Sequence, residues 1–196
     1  MPKIVDHQEQ RRQLCATVAS VIAEEGLENT TLRTVAAYHG CTKGMVQHYF
    51  TDKEELLLGA LAYVEDTCEQ RMAKPARDES GLGELQARLI ARLALTPDTV
   101  DEWQVRIAFT SRAAISPAMR RAFAKRQVEE QQVCVSALQR ARKAGELRAN
   151  LNIRNCYRSL DALVFGLGVE VVMNPDNLTA ANQRQILKSA ISDLRC

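Results

Sequence analysis

The sequence predicts an all-α fold, in which an N-terminal three-helix domain precedes a larger helical domain, with about nine helices in all. Apolar residues make up 46% of the 196 residues and recur at helical spacing along most of the chain. Good helix formers dominate, β-branched runs are scarce, and only 9 Gly and 5 Pro interrupt the pattern. The length is sufficient for two such domains.

The first predicted helix has one apolar stripe and ends at Gly26. The stripe consists of residues at the helical spacings i, i+4, i+7 and i+8: Leu14, Val18, Val21 and Ile22. Such a stripe gives the short helices that follow a surface on which to pack.

Two short helices joined by a tight turn come next, and a Thr precedes each of them. Thr31 and Thr42 can accept hydrogen bonds from the first amides of these helices. Gly40 can adopt the left-handed conformation that ends the first of the two. Because few residues separate them, the helices must cross steeply. This pattern predicts a helix-turn-helix, whose second helix enters the major groove of DNA.

A fourth helix is predicted from Asp52, which can cap it, to about Met72, before Pro75. Residues 74–81 form a polar loop. We expect one domain at residues 1–52 and a second at residues 53–196.

Five further helices are predicted in the second domain. The expected helices are a fifth over residues 82–93, a sixth around Trp103 that ends at Ser116, a seventh from Pro117 toward Lys143, an eighth capped by Asn152, and a ninth from about Thr179 to Leu194. The eighth helix is apolar on two sides, so both sides must be covered. This favours a homodimer, and the alternative is that both sides lie in the core of one chain.

Residues 30–57, T-T-L-R-T-V-A-A-Y-H-G-C-T-K-G-M-V-Q-H-Y-F-T-D-K-E-E-L-L, resemble the N-terminal domain of the TetR/AcrR family of transcriptional regulators. Residues 1–4, 11–14 and 48–50 are most similar to the BetI-like subgroup. The resemblance implies a regulator, most often a repressor, that binds an inverted-repeat operator as a dimer through its last two helices. It also implies that a small-molecule effector, bound in the second domain, releases the DNA.

The resemblance assigns DNA contacts by matching position. The matched residues are Thr31, Arg33, Thr42, Lys43, Gly44, Met45, Gln47, His48, Tyr49 and Lys53. Arg33 can pair with guanine, Gln47 with adenine, and Met45 can contact a thymine methyl group. Thr42, Tyr49 and Lys53 match phosphate contacts, which fix register. Many family members carry Tyr at position 47 and a β-branched residue at position 41, so their operator sequences do not transfer.

Charge gives weaker support for DNA binding. Residues 1–55 contain six Lys or Arg and eight acidic residues, a net charge of −2. Within residues 31–53, however, three basic residues accompany a single acid, Asp52. The attraction of DNA phosphates depends more on this local charge distribution than on the net charge of residues 1–55. The alternative for His48, Tyr49 and Gln47 taken singly is ordinary helix surface.

Aromatic residues of the second domain are candidates for the effector pocket. The candidate set is Trp103, Phe109, Phe123, Tyr157, Phe165 and Glu170. Trp103 and Tyr157 with Glu170 could enclose a quaternary ammonium group, although aromatics at helical spacing are more often core. Phe165 replaces an Asp that is common in relatives just before Gly166, which weakens any transfer of choline recognition.

The six cysteines are scattered, without a C-x-x-C pair, so we expect no zinc site and no cofactor. Reduced thiols are the simplest interpretation, and a redox- or metal-responsive regulator, with Cys41 in the turn, is the alternative.

No enzyme motif is present, so we expect no enzymatic activity. A helical protein-interaction module is a second alternative. Neither a membrane-length apolar run nor a secretion signal is seen, so we expect a cytoplasmic protein without a membrane partner.

Overall fold

The computed structural model describes residues 7–77 and 79–196, and the all-α prediction is confirmed. Within these residues the chain forms nine helices and no strand, apart from an isolated bridge between Leu147 and Arg195. The helices are α1 His7–Asn29, α2 Leu32–His39, α3 Lys43–Tyr49, α4 Lys53–Ala76, α5 Gly81–Arg92, α6 Pro97–Ile115, α7 Pro117–Lys143, α8 Ile153–Met173 and α9 Ala180–Ser192. The similarity noted at residues 1–4 lies outside the described residues.

The predicted capping residues cap their helices. Thr31 Oγ1 accepts from the amide of Thr34 at 3.1 Å, and Thr42 Oγ1 accepts from the amide of Met45 at 3.2 Å. Gly40 ends α2 in the left-handed conformation, with φ 70° and ψ 33°. These local bonds satisfy amides and carbonyls that would otherwise lack partners, and they fix the ends of both short helices.

One predicted helix end agrees with the structure and one differs from it. Gly26, with φ 81° and ψ 168°, is non-helical and interrupts α1 where the first helix was predicted to end, and helical residues resume beyond it as far as Asn29. Pro75 lies inside α4, which ends at Ala76 instead of near Met72, so the polar loop is shorter than residues 74–81. Pro75 lacks the amide hydrogen that would bond to the carbonyl of Arg71, and its ring crowds that carbonyl, which fits the end of α4 one residue later.

The chain divides into two compact units. The first contains residues up to 66 together with 104–122, and the second contains 67–103 together with 123–196. The divisions at residues 66, 103 and 122 fall inside α4, α6 and α7, not in loops. The functional division between residues 1–52 and 53–196 stays a prediction.

The first unit has a small core built on α1. Its stripe residues Leu14, Val18, Val21 and Ile22 are buried, as are Val35 of α2 and Val46 of α3. Gly59 of α4 lets that helix approach closely, because a Cβ there would lie 3.0 Å from Cys15 Sγ and 3.0 Å from Phe50 Cε1. The core therefore holds the second and third helices at fixed positions against the first.

The second unit has a larger core formed by α5, α8 and α9, to which Trp103 and residues of α7 also belong. Trp103 is 1% exposed, and its indole N–H donates to the Arg92 carbonyl at 2.8 Å. Its ring lies directly against Gly168, where a Cβ would overlap the indole. Gln183 of α9 is also buried and donates to the Ala94 carbonyl at 2.7 Å.

Among the described helices, none has the length and hydropathy that a membrane span requires.

Candidate nucleic-acid interface

Helix α3 presents its polar residues on the outside, as the sequence predicted. Val46 is buried at 0% exposure, and Phe50, the capping residue after α3, is buried at 1%. The outward set consists of exposed Lys43, Gly44, Gln47 and His48, with Met45 and Tyr49 half-buried. Two buried anchors on one side thus leave the opposite side of the helix to a partner.

Three predicted base or phosphate contacts have unused polar groups. Arg33, Lys43 and Gln47 are exposed, and within the described residues their side chains make no hydrogen bond or ion pair. Their donors, and the acceptor of Gln47, are therefore available to a nucleic acid without the loss of an internal bond.

The side chains of Lys53 and of the capping threonines already make hydrogen bonds within the protein. Lys53 Nζ donates to the Glu28 carbonyl at 3.0 Å, which uses one of the three N–H bonds of the ammonium group. Thr31 Oγ1 lies 2.9 Å from Thr34 Oγ1 in addition to its capping bond. Thr42 Oγ1 only accepts, so its hydrogen remains for a phosphate oxygen.

Two acids near the start of α4, Asp52 and Glu55, accept hydrogen bonds from other groups of the protein. Asp52 caps α4, as predicted, by accepting from the amide of Glu55 at 2.8 Å. Glu55 accepts from the amide and hydroxyl of Thr51 and from Arg11, and these hydrogen bonds, the Thr51 amide first, lower the pKa of Glu55. Arg11 also lies over the Phe50 ring, 4.9 Å from its centroid. The carboxylate of Glu55 therefore ties α1 to α4.

Sequence reasoning missed His7 at the start of α1. Its ring lies 5.7 Å from the His48 ring and 5.9 Å from the Tyr49 ring, between centroids. No spacing rule connects residue 7 with residues 48 and 49, since the contact depends on how α1 packs against α3. The surface around α3 thus extends beyond the helix-turn-helix.

The candidate effector residues differ in exposure and do not all belong to the same unit. Trp103 and Phe165 are in contact, with ring centroids 5.8 Å apart, and Tyr157 is buried in the same unit. Phe123 is half-buried, whereas Glu170 is exposed and accepts from Asn174 at 3.0 Å. Phe109 is buried and belongs to the first unit. The pocket itself stays a prediction.

Sequence reasoning also missed a buried ion cluster in the second unit. Arg92 Nη1 lies 2.6 Å from Glu130 and 2.8 Å from Asp161. Burial lowers the pKa of Arg92, but the attraction of the two carboxylates outweighs this, so that the net shift is upward. Burial, together with the charges of Glu130 and Asp161, raises the pKa of Tyr157. Arg92 falls on the buried stripe of α5, and a charged residue at such a position is the signal that could have revealed the cluster.

All six cysteines are free thiols. Burial raises the pKa of Cys15 and of Cys41, and it is the main cause that raises the pKa of Cys134 to about 12. A raised pKa lowers the thiolate fraction and with it the reactivity toward oxidants. Within the described part of the chain, no group of three or more His, Cys, Asp or Glu could hold a metal ion.

Two family descriptions match the chain. Residues 16–60 match the bacterial regulatory proteins of the tetR family, and residues 83–195 match the C-terminal domain of BetI-type transcriptional repressors. The transcriptional repressor Rv1474c of Mycobacterium tuberculosis is 28% identical over 195 residues, covering 97% of this chain and 98% of its own. The regulator PksA of Bacillus subtilis is 32% identical over 114 residues, which cover 58% of this chain and 56% of PksA.

A solved structure shares the fold. The crystal structure of a regulator from Saccharomonospora viridis in complex with choline superposes with a TM-score of 0.85. It is 23% identical in sequence, and the match covers 94% of this chain and 96% of that one.

Proposed function

The chain is a transcriptional repressor of the TetR family with a BetI-type C-terminal domain, and from this we propose that it binds an inverted-repeat operator as a homodimer and releases it when a small organic effector binds. The observation that carries the DNA-binding part is α3, with buried Val46 on one side and unpaired polar side chains on the other. Two such helices in a twofold dimer match two half-sites in successive major grooves. Because a bacterial repressor must reach chromosomal DNA, the proposal also locates the protein in the cytoplasm.

The proposal divides the DNA contacts into two classes. Arg33 has a free guanidinium group that can donate two parallel bonds to guanine, and Gln47 can pair with adenine. Lys53 and Thr42 lie at the starts of α4 and α3, and their donors suit phosphate oxygens. Base contacts give sequence preference, whereas phosphate contacts give affinity and register.

Replacing Arg33 and Lys53 separately tests this division. R33A should cost about 1–3 kcal/mol on operator DNA and much less on random DNA, because a base contact is lost. K53A should weaken both kinds of complex to a similar extent and reduce the salt dependence, because a phosphate contact is lost. Gel shifts with the DNA upstream of the gene and with a random duplex, at several salt concentrations, measure both effects.

If R33A lost the same amount of binding affinity for upstream DNA and for random DNA, this would contradict the proposal that Arg33 contacts a base. Upstream DNA bound no better than random DNA by the wild type would contradict the proposed function. That second result would favour the alternative of a protein-interaction module.

The homodimer is proposed through α8 and α9. Met173 of α8 is 68% exposed, and Phe165 and Ile186 are each 39% exposed, so that α8 and α9 carry three of the six large apolar side chains that are exposed in the described residues. Four such helices from two chains would form a bundle that covers them. Dimerisation also provides the second recognition helix that an inverted repeat requires.

The double variant M173E/I186E tests this surface. Two carboxylates at these positions would be desolvated in a dimer, so the variant should sediment as a monomer and bind the operator at least about tenfold more weakly. V128E is the matched control, because Val128 of α7 is 52% exposed but lies outside the proposed surface. Sedimentation velocity at several concentrations measures the state of each variant. A dimeric M173E/I186E protein would contradict the proposed interface.

The effector part of the proposal places the ligand among Trp103, Tyr157 and Phe165 of the second unit, with Phe123 and Glu170 of the same unit as further candidates. Phe109 belongs to the first unit and is not part of this proposed site. The Saccharomonospora viridis regulator of similar fold is complexed with choline. A quaternary ammonium compound is therefore the first ligand to test.

An effective switch needs an effector that prefers the DNA-incompetent arrangement by roughly 10²- to 10⁴-fold. The gel shifts described above, repeated with choline and with other small organic cations, test whether such a ligand releases the upstream DNA.

The other functional classes receive less support. Membership of a family of regulators confirms the prediction that the chain is not an enzyme. The alternative of a redox-responsive regulator would rest on Cys41, whose raised pKa disfavours the reactive thiolate.

A further inference from the structure

The start of α1 brings a titratable group to the proposed DNA face. His7 Nδ1 lies 3.4 Å from the hydroxyl oxygen of Tyr49, and the His7 ring also contacts the ring of His48. His48 and Tyr49 themselves meet edge to face, with centroids 5.2 Å apart. The three rings form one cluster, which we call the His7 cluster, at the end of the recognition helix α3. His7 and His48 are exposed and Tyr49 is half-buried.

We propose that His7 is a positioning residue for DNA binding, and that its protonation state decides whether the Tyr49 hydroxyl can donate to a phosphate. The inference rests on the proposed function of α3. When Nδ1 carries no proton, it accepts the hydroxyl hydrogen of Tyr49, and that hydrogen is not available to DNA. When Nδ1 gains a proton, His7 becomes the donor and Tyr49 the acceptor. The hydroxyl hydrogen of Tyr49 is then free for a phosphate oxygen.

Protonation also changes the charge of this face. Among the described residues of α1, two ion pairs lie close to His7 in sequence, Glu9–Arg12 and Arg11–Glu55. Hydrogen bonds, chiefly from Arg12 to Glu9 and from the Thr51 amide to Glu55, lower the pKa values of both carboxylates, so these two acids stay charged between pH 6 and 8. Two imidazolium ions with centroids 5.7 Å apart repel each other in the free protein, and nearby phosphates offset that repulsion. DNA binding should therefore take up protons, and the affinity should rise as the pH falls.

The composition of the chain makes this effect measurable. Histidine is the side chain that normally changes charge between about pH 5 and 8, and this sequence contains three: His7, His39 and His48. His39 Nδ1 lies 2.8 Å from Thr17 Oγ1, a link between α2 and α1 outside the His7 cluster. His39 therefore provides a matched control for the loss of one imidazole.

The test uses the full chain, the DNA upstream of the gene and a random duplex of equal length, at pH 6, 7 and 8 and constant ionic strength. The wild type should bind the upstream DNA roughly tenfold more tightly at pH 6 than at pH 8. H7F keeps a ring against Tyr49 but cannot take up a proton, so it should reduce this ratio to about threefold or less. H39Q should keep the wild-type ratio. Thermal melting establishes that each variant is folded.

A tenfold ratio that persists in H7F would overturn the inference and leave the proposed function intact. Upstream DNA bound no better than the random duplex at every pH would instead overturn the proposed function and the inference with it. If H7F melts below the assay temperature, the ring-proton NMR signal of His7 in the wild type decides the matter. A titration midpoint that moves to higher pH when DNA is added supports the proposal, and an unchanged midpoint overturns it.

Discussion

Replacing Gly168 by alanine should destabilise the protein strongly, although it adds a single methyl group. The new Cβ would overlap the indole of Trp103, which is 1% exposed. Overpacking of this kind costs about 1–3 kcal/mol. The displaced indole would also lose its bond to the Arg92 carbonyl, and an unpaired buried N–H costs roughly a further 1–3 kcal/mol. Urea unfolding followed by circular dichroism measures the sum.

The chain contains one tryptophan, so its fluorescence reports on Trp103 alone. In G168A the emission should shift to longer wavelength as the indole leaves its packed position. G166A is the matched control, because a Cβ at Gly166 meets nothing within 4 Å, and α8 should gain up to about 1 kcal/mol from the better helix former. A G168A protein as stable as G166A, with unchanged emission, would show that Trp103 does not pack against Gly168.

Replacing Arg92 by methionine should destabilise the second unit by about 3–5 kcal/mol. The side chains of Glu130 and Asp161 are only 17% and 33% exposed, and Arg92 Nη1 contacts both. Methionine keeps much of the volume of arginine but removes the cation that both carboxylates contact. We expect the penalty to arise from this lost charge compensation more than from lost packing, and denaturant unfolding at neutral pH measures it.

Two further variants separate the charge effect from general sensitivity to mutation. R92M/E130Q/D161N removes the charges of both carboxylates together with the arginine, so it should recover a large part of the stability lost in R92M. R112M removes an exposed cation that lies 3.6 Å from Glu28, and it should cost less than about 1 kcal/mol. A triple variant no more stable than R92M would show that the cluster stabilises the unit by packing and not by charge compensation.

The features that sequence analysis predicted well are those fixed by neighbouring residues. Asn152 caps α8 by accepting from the amide of Asn155 at 3.1 Å, and Thr179 caps α9 by accepting from the amide of Asn182 at 3.2 Å. Like Thr31 and Thr42, these residues lie three positions from their partners, so the chemistry is readable in the chain itself. The outward polar side of α3 was predicted for the same reason, because the spacing of Val46 and Phe50 defines the inner side.

The features that sequence analysis missed depend on distant parts of the chain. Arg92 is tolerated on an apolar stripe because Glu130 and Asp161 approach it from α7 and α8, far along the sequence. The contact of His7 with Tyr49 joins residues 42 positions apart. Such pairings are set by tertiary packing, and no local pattern encodes them. The candidate effector residues belong to the same class, because aromatic spacing alone does not distinguish core from pocket.

The position of the divisions inside α4, α6 and α7 affects how chimeric regulators should be built from this chain. The unit that contains the recognition helix also includes residues 104–122, which are attached to it by ion pairs from Arg106 to Glu65 at 3.1 Å and from Arg112 to Glu28 at 3.6 Å. A transplant cut after residue 52 would discard Gly59 and the rest of that close approach to Phe50. A grafted DNA-binding unit should therefore include both of its sequence segments, the residues up to 66 and residues 104–122. Its junctions should preserve the helical phase.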